Sequence, residues 1–521
     1  MNNGAIRKKG QGRTASGTRR RTGAGLLALA VGAGLLAGCA AESESGGARQ
    51  EEGPTKITML LPYFSTEAPK ENPIIEELEA LTDTELDITW VPNAAYKDKL
   101  SVSLSSNDLK QVSVINNLDG GIYAPAITSG VQAGAFWEIG PYLADYPNLS
   151  TRLNKDVLQN ATHDGKNYAL YRPRVLARGG VLFRKDWLEA VGLEEPKTID
   201  DLYQVIRAFA EEDPDGNGKR DTYGLISRKG MADLDMLAGF YGAGNGYSEE
   251  DGKLVPSFMS EAYLDALRFY KRLYDEQLMN PDFAVTEGNQ SKELLAGGKG
   301  GLVISTAIDD VVAGDASAKE TNPDAALDVV SRIQGPAGER IMASPGYNGI
   351  FMFPKTAIKS EEQLRDILAF FDKMFEPESA NLLIWGIEGE HYHLEDGKVA
   401  FTEEEQERRL KDKDPIPQLS IIQEQDSELK AEYAPLLQKV KTMFADNEPI
   451  AVSNPALSIQ SPTLSEKSGE LEKIVADAKV KFILGEIDEE GWRAELEKWE
   501  QAGGAQALEE INAEYARRQQ Q

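Results

Sequence analysis

Cysteine and histidine are almost absent from this chain, which has one cysteine and three histidines among 521 residues. A lone cysteine has no partner in the chain for a disulfide, and so few histidines leave little material for a metal centre. Basic residues are outnumbered as well, since 56 Lys and Arg stand against 85 Asp and Glu, for a formal net charge of −29. Such a surface repels nucleic acid and anionic membranes. It also argues against anionic ligands such as uronate polymers, unless a local basic cleft overrides the net charge.

The apolar stretch near the N-terminus is too short for a typical membrane span. The apolar stretch "GLLALAVGAGLLAG" at 25–38 is shorter than the roughly 20 residues that a span needs. Because a basic segment without acidic residues precedes it, 1–38 is typical of a signal peptide. "LAGC" at 36–39 resembles the lipobox of bacterial lipoproteins, so we expect lipid attachment at Cys39, with a plain signal peptide as the alternative. The Ser-, Gly- and Glu-rich segment 39–55 predicts a flexible tether.

Strand and helix patterns alternate through the rest of the chain. Thr198 followed three residues later by Asp201 forms a capping box, which predicts the start of an amphipathic helix. Apolar runs predict strands at 56–64, 112–117, 300–305 and 348–354, and alternating apolar and polar residues predict another at 87–93. This alternation favours an α/β fold with a mostly parallel sheet and helices on its faces.

Four segments resemble one protein family in the same order along the chain. They are "GGVLFRKDWLEAVGLEEPKTIDDLYQVIRAFAEEDPDGNGKRDTYGL" (179–225), "YKRLYDEQLMNPDF" (270–283), "LLIWGIEGEHY" (382–392) and "FILGEIDEEGWRAELEKWEQAGG" (482–504). The family is the extracellular solute-binding proteins of family 1, and the match is closest to its larger lipoprotein branch. The resemblance spans about 57–515 and includes the lipobox.

The resemblance implies a type II periplasmic-binding-protein-like fold, in which two lobes joined by a hinge enclose a central cleft. On that pattern we expect 56–172 plus 300–345 in lobe 1, and 173–299 plus 346–521 in lobe 2. It further implies a monomeric, lipid-anchored receptor on the extracellular face of the cell membrane. Such a receptor would deliver a solute, most often a sugar or oligosaccharide, to the permease subunits of an ABC importer, without catalysis.

One loop, "DPDGNGKRDTYG" at 213–224, has the spacing of a calcium loop. Its twelfth position is Gly224, so the usual bidentate glutamate is absent, and a helix enters where a strand leaves. A solvated Asp-Gly turn is the alternative to a structural Ca²⁺ site. The candidate ligands, the fourth of them through its backbone carbonyl, are Asp213, Asp215, Asn217, Lys219 and Asp221.

Sugar sites combine aromatic faces with polar groups that hydrogen-bond hydroxyls. Each such residue could equally belong to the core. The substrate-binding candidates in loops that would border the cleft are Tyr63, Phe64, Tyr171, Arg172, Tyr241, Tyr347, Asn348, Trp385 and Glu388. Trp187 is left out because "RKDWLEAVGL" predicts a helix start with this ring packed inward.

Two other functions stay open from the sequence alone. Glu388 and Glu390 form a carboxylate pair, so a secreted polysaccharide-active enzyme is one alternative. A peptide-sensing or adhesive surface lipoprotein is the other. His391 and His393 have a spacing that zinc ligands sometimes show, but a structural or ligand-facing role fits their context better.

Overall fold

The computed structural model describes residues 53–65, 67–116 and 121–520. The expected signal peptide at 1–38 and the lipidation site at Cys39 lie outside the described residues, as does most of the expected tether. In the part of the chain that is described, no helix is long and apolar enough to cross a membrane.

Strands and helices alternate along most of the described chain, which confirms the α/β class. In chain order the strands are β1 (Thr55–Tyr63), β2 (Thr84–Pro92), β3 (Val112–Ile115), β4 (Thr162–His163), β5 (Lys166–Asn167), β6 (Ala169–Pro173), β7 (Gly180–Arg184), β8 (Tyr223–Leu225), β9 (Tyr247–Glu250), β10 (Lys253–Pro256), β11 (Gly300–Ser305), β12 (Leu327–Val330), β13 (Gln334–Gly335), β14 (Gly338–Glu339), β15 (Ile341–Met342), β16 (Tyr347–Met352), β17 (His393–Glu395), β18 (Lys398–Ala400) and β19 (Ala451–Val452). The helices are α1 (Pro73–Thr82), α2 (Asn93–Ser106), α3 (Pro125–Gln132), α4 (Pro147–Arg152), α5 (Lys155–Asn160), α6 (Lys185–Ala190), α7 (Ile199–Glu211), α8 (Ala232–Tyr241), α9 (Glu261–Asp275), α10 (Gly288–Ala296), α11 (Asp310–Thr321), α12 (Glu361–Lys373), α13 (Pro377–Trp385), α14 (Glu403–Asp412), α15 (Ile416–Leu419), α16 (Pro435–Asn447), α17 (Pro462–Ile483), α18 (Glu489–Trp499) and α19 (Ala505–Gln519).

The first lobe, lobe A, is built on a five-stranded sheet in the order β2-β1-β3-β16-β6. β1 runs parallel to β2 and β3, whereas β16 runs antiparallel to β3 and β6. The hydroxyl of Tyr96 on α2 donates to the carbonyl oxygens of Leu60 (2.9 Å) and Val114 (2.8 Å), which ties β1 to β3. The apolar core of lobe A draws on 57–171 and 347–422.

The second lobe, lobe B, is built on a four-stranded sheet in the order β12-β7-β11-β8. β7 is antiparallel to both of its neighbours, and β11 is parallel to β8. The predicted capping box is confirmed, because Thr198 Oγ1 accepts from the amide of Asp201 and Asp201 Oδ2 accepts from the amide of Thr198, each at 3.0 Å. Trp187 on α6 is buried, also as predicted.

The sheets correct the expected division into lobes at two places. The strand at Gly300–Ser305 was expected in lobe 1, but it pairs with β7 and β8 in lobe B. The segment from 346 was expected in lobe 2, but β16 pairs with β3 and β6 in lobe A. An apolar run shows that a strand is buried but not which sheet receives it, so the local pattern could not decide this point.

Candidate functional site

The segments that connect the lobes begin and end at particular strands of the two sheets. β1, β3 and β6 run in one direction, so their carboxyl ends share one edge of the lobe A sheet, and β16 starts at that edge. The first connecting segment, 174–179, leaves β6 at this edge and enters β7. The second, 343–346, returns from β15 to β16. Ligands of open α/β sheets bind outside the carboxyl ends of strands, so these connections mark the candidate site.

The cavity beside these segments, here called the hinge cavity, has a volume of about 750 Å³. Both connections contribute to it, along with residues of α4, α5, α16 and the loop 420–430. Its polar and charged lining residues are Arg152, Asn154, Tyr171, Arg174, Arg178, Asp309, Gln423, Glu424, Gln425, Asp426, Lys430, Lys441 and Glu448. Amide, carboxylate and guanidinium groups of this kind can hydrogen-bond the hydroxyls of a polar ligand.

A second cavity of about 570 Å³ shares Leu176 and Arg178 with the hinge cavity. Its other lining residues come largely from lobe B and include the rings of Tyr247, Phe258 and Tyr263. The 174–179 segment therefore contributes residues to both cavities.

Two arginines of the connecting segment differ in their partners. Arg178 forms a bidentate ion pair with Asp309, with Nη2 to Oδ2 at 2.5 Å and Nε to Oδ1 at 3.2 Å. Arg174 donates from Nη1 to Oδ1 of Asn348 at 3.2 Å. Burial lowers the pKa of Arg174, and the nearby Arg178 lowers it further.

Of the predicted ligand-binding residues, Tyr171 lines the hinge cavity, and Asn348 and Phe64 are partly or largely exposed. Tyr171 lines the hinge cavity, its hydroxyl accepts from the amide of Asn154 at 2.7 Å, and burial raises its pKa to about 12. Asn348 is half-buried beside Arg174. Phe64, directly after β1, has 58% of its surface exposed. Among the described residues it is the one aromatic side chain in the exposed class, and exposed rings suit stacking on sugars.

Arg172, Tyr347 and Trp385 are buried and line neither cavity, so the expectation that they border the site is not met. Successive strand residues face opposite sides, and Arg172 on β6 points away from Tyr171 to bond Gln418 Oε1 at 2.6 Å. Burial lowers the pKa of Arg172 to about 10. The Tyr347 hydroxyl donates to the carbonyl of Asn160 at 3.1 Å.

Apart from Tyr171, none of the predicted candidates lines either cavity. Trp385 is 1% exposed and donates from Nε1 to Ser427 Oγ at 2.8 Å. Tyr241 ends α8, whose first turns line the second cavity, and packs edge-on against Phe269 with ring centroids 6.4 Å apart. Tyr63 is half-buried at the end of β1, and Glu388 is exposed in the turn after α13.

The predicted calcium loop follows α7 and bonds largely to itself. Asn217 Nδ2 donates to Asp215 Oδ2 at 2.6 Å and to Asp221 Oδ1 at 3.0 Å. Backbone amides of Asn217 and Gly218 donate to the Asp213 carboxylate at 3.1 and 3.0 Å. Lys299 Nζ lies 3.2 Å from Asp221 Oδ2. The donor oxygens suit Ca²⁺, but no group of three or more acidic, His or Cys side chains in the described residues is arranged to hold a metal.

Steric packing explains why the loop lacks its twelfth-position acid. A Cβ added at Gly224 would lie 1.9 Å from the carbonyl oxygen of Ile206, which is far inside contact distance. The entry of this segment into β8, against α7, therefore excludes a glutamate there. The predicted departure from a full calcium loop is built into the fold of lobe B.

The histidine contacts favour structural roles. His391 is fully buried, with Nδ1 accepting from the amide of Ile387 at 3.0 Å and Nε2 lying 3.2 Å from Asp412 Oδ2. His393 Nδ1 lies 2.8 Å from Glu405 Oε2 on α14. Each ring thus fixes a loop after α13 to the neighbouring helix.

Sequence reasoning missed Arg174, Arg178 and Asp309. The strand alternation around Tyr171 was a usable signal, because it predicts that 171 and 173 share a face and that 172 does not. Where β6 ends, and which lobe holds Asp309, depends on strand pairing that local sequence does not reveal.

Comparisons with known proteins agree with this architecture. A sequence model of the family described as bacterial extracellular solute-binding protein matches residues 65–381. The polygalacturonan/rhamnogalacturonan-binding protein YtcQ of Bacillus subtilis (strain 168) is 40% identical, with 93% of this chain and 96% of YtcQ covered. Lipoprotein LipO of the same strain is 36% identical, with 94% and 97% covered.

Solved structures show the same two-lobed fold at lower sequence identity. An HMO-binding, ABC-transporter-associated solute-binding protein from Bifidobacterium longum infantis superposes with a TM-score of 0.68 at 17% identity, over 89% of this chain and 99% of that one. The sheet order, the crossing segments and these matches lead to one assignment. This chain belongs to the family of bacterial extracellular solute-binding proteins.

Proposed function

We propose that this chain captures an extracellular carbohydrate in the hinge cavity and delivers it to the membrane permease of an ABC importer. The observation that carries the proposal is the polar cavity of about 750 Å³ beside two of the segments that connect the lobes. The relative YtcQ is named for binding polygalacturonan and rhamnogalacturonan, and the Bifidobacterium protein for binding HMO. Both names support a saccharide as the ligand here.

The work of such a receptor is a difference in affinity between open and closed states. Rotation about 174–179 and 343–346 would bring the lobes together, and a ligand that contacts both lobes favours the closed state by its additional contacts. Side-chain amides of Asn154, Gln423 and Gln425 would bond sugar hydroxyls. Exposed Phe64 would supply a stacking face. The proposal includes no catalytic step.

Lipid attachment at Cys39 is the second part of the proposal. The lipobox resemblance of "LAGC" supports it, and the relative LipO is itself named a lipoprotein. The acidic tether at 39–55 would let the two lobes stand away from the membrane surface. Metabolic labelling with a fatty acid, compared between the wild type and Cys39→Ala, tests the anchor; equal labelling would contradict it.

A thermal-shift series tests the binding function. Ligands that bind only the native state raise the melting temperature, so we expect at least one oligosaccharide to stabilise the protein in a concentration-dependent way. Phe64→Ala tests the contribution of the exposed ring. Its loss should affect folding little and should reduce the ligand-induced rise in melting temperature. Stabilisation by peptides with no response to any saccharide would instead support the peptide-sensing alternative.

Calcium at 213–221 is a further proposal, supported by the oxygen-rich donor set of the loop. With Asp221 held by Lys299 and no acid at position 224, we expect weak binding suited to millimolar external Ca²⁺. Ca²⁺ added after EDTA should raise the melting temperature, and Asp213→Asn should abolish that rise. An unchanged melting temperature with EDTA and with Ca²⁺ would overturn the site.

A further inference from the structure

The hinge cavity reverses the charge balance of the chain. It is lined by five basic side chains, Arg152, Arg174, Arg178, Lys430 and Lys441, and by four acidic ones, Asp309, Glu424, Asp426 and Glu448. The whole chain carries 56 basic against 85 acidic residues. The cavity thus has one more basic than acidic side chain in a chain that is acidic overall, which makes it the less repulsive place for an anionic ligand.

Four of the nine charged side chains in the cavity are paired with one another. Arg178 holds Asp309, and Lys441 Nζ lies 2.5 Å from Glu424 Oε2. Arg152 and Lys430 both act on Asp426, because each lowers the pKa of that carboxyl against the larger raising effect of burial. Arg152 and Arg174 are the two arginines of the cavity with no carboxylate of the described residues within 4.0 Å, and Arg174 is the one that lies on a connecting segment.

Arg174 has acidic neighbours, but each of them is engaged elsewhere. The charges that act on it are Arg178, Asp309 and Asp310. Asp309 is in the bidentate pair with Arg178, and Asp310 Oδ2 lies 2.9 Å from Lys292 Nζ. Within the described residues no carboxylate lies within 4.0 Å of the Arg174 guanidinium, and its one side-chain bond goes to the neutral Asn348.

The position of Arg174 adds to this electrostatic argument. It is the first residue of the connecting segment after β6, its backbone amide is fixed by the carbonyl of Gly346 at 2.9 Å, and it lines the cavity while remaining accessible to solvent. The guanidinium is thus exposed at the cavity wall and has no anionic partner among the described residues. A planar donor fork in this state suits bidentate bonding to a carboxylate.

We propose that the hinge cavity selects a saccharide that carries carboxylates, and that Arg174 binds the carboxylate of a uronic acid unit. This inference rests on the proposed carbohydrate-binding function and narrows its ligand class. Arg174 acts directly on the ligand, whereas Asn348 is a positioning residue that holds one guanidinium nitrogen. The net acidity of the chain argues against such ligands, but the basic side chains of the hinge cavity offset it at this place.

Isothermal titration calorimetry with matched acidic and neutral ligands tests the inference. The probes are trimers of galacturonic acid and of glucuronic acid, together with their methyl esters, which keep size and ring shape but remove the charge. We expect at least one acid trimer to bind the wild type at least tenfold more tightly than its ester. Raising the salt concentration should weaken the acid form more than the ester, since screening acts on the charged ligand.

Three variants localise the effect. Arg174→Gln should weaken binding of the acid trimer about 10- to 100-fold, the range expected for loss of a charge-assisted bond, and change binding of the ester by less than about threefold. Arg174→Lys should recover part of the affinity. The control Arg207→Gln removes an arginine on the exposed face of α7 and should change neither.

The outcomes separate this inference from the function on which it rests. Equal binding of acid and ester by the wild type, binding of neutral oligosaccharides alone, or acid binding unaffected by Arg174→Gln would each overturn the carboxylate assignment and leave carbohydrate binding intact. Failure of every acidic and neutral saccharide to bind would overturn both.

Discussion

Two arginines, one in the interior of lobe A and one on the wall of the hinge cavity, differ in exposure and in hydrogen-bond partners. Arg172 and Arg174 are two residues apart, yet the first is 4% exposed and bonded to Gln418, Pro417 and Asn116, whereas the second faces open space with one neutral partner. The interior satisfies the Arg172 guanidinium within the fold. The cavity wall leaves Arg174 available to a ligand, so changes in the two regions should affect different measurements.

Substitution of a buried tryptophan should cause the largest loss of stability. Trp385 is 1% exposed and packs with Phe401, so Trp385→Ala should cost about 3–5 kcal/mol through a cavity and a lost hydrogen bond. Phe64→Ala at the exposed strand end should cost less than about 0.5 kcal/mol. Chemical denaturation of both variants measures the difference, and similar losses would remove the distinction between the regions.

Removal of a buried carboxylate in lobe A should cause the next largest loss of stability. Asp372 Oδ1 accepts from the backbone amides of Asn148 (2.9 Å) and Leu149 (2.8 Å) at the start of α4. Asp372→Ala should therefore cost about 2–3 kcal/mol in the free energy of unfolding, and Asp372→Asn less because an acceptor remains. Arg174→Gln on the cavity wall should cost less than about 0.5 kcal/mol in the same assay. A larger loss for Arg174→Gln would show that it serves folding.

The third effect depends on pH. Lys413 donates to the carbonyls of Leu383 (2.7 Å) and Ile384 at the end of α13, and burial lowers its pKa to about 7. The unfolded chain, with a lysine pKa near 10.4, holds a proton that the native state releases above pH 7. Stability from this group therefore rises with pH, by about 1 kcal/mol between pH 7 and 8.

Comparison with Lys413→Met isolates this contribution from the other titrating groups. The wild type should gain about 1 kcal/mol relative to the variant over the same interval, measured by urea denaturation at each pH. Lys473→Met, at an exposed position on α17, controls for the loss of a surface charge. Parallel pH profiles for the wild type and Lys413→Met would contradict the burial of a neutral amine.

The smallest effect should come from Asn348→Ala. Its Oδ1 accepts one bond from Arg174, so the variant frees the guanidinium without removing it. We expect a two- to fivefold weaker saccharide affinity, equivalent to about 0.4–1 kcal/mol, and an unchanged melting temperature without ligand. Titration calorimetry and thermal denaturation check the two parts, and a loss of stability without a change in affinity would assign Asn348 to the fold.

Sequence was informative where local chemistry decides the structure. The capping box at Thr198 and Asp201, the inward Trp187 and the strand beginning near 56 depend on neighbours close in the chain, and all three are confirmed. The predicted lobe of 300–305 was wrong because an apolar run does not indicate which distant strand it pairs with.

The candidate site was harder to predict for a related reason. Tyr171 lines the hinge cavity, and its role in ligand binding stays a prediction. Trp385 and Tyr347 are aromatic residues of the kind that stack on sugars, but packing buries them. Arg174 becomes notable only after the ion pairs of Asp309 and Asp310 are known, because its importance lies in what those carboxylates do not provide. That information belongs to tertiary structure.

A crystal structure of the protein with the oligosaccharide that gives the largest thermal shift tests the central claim most directly. The account predicts the saccharide in the hinge cavity, in contact with Tyr171 and with Arg174, and the two lobes closer together than in the ligand-free protein. Saccharide bound away from 174–179, with no contact to either residue, would contradict it.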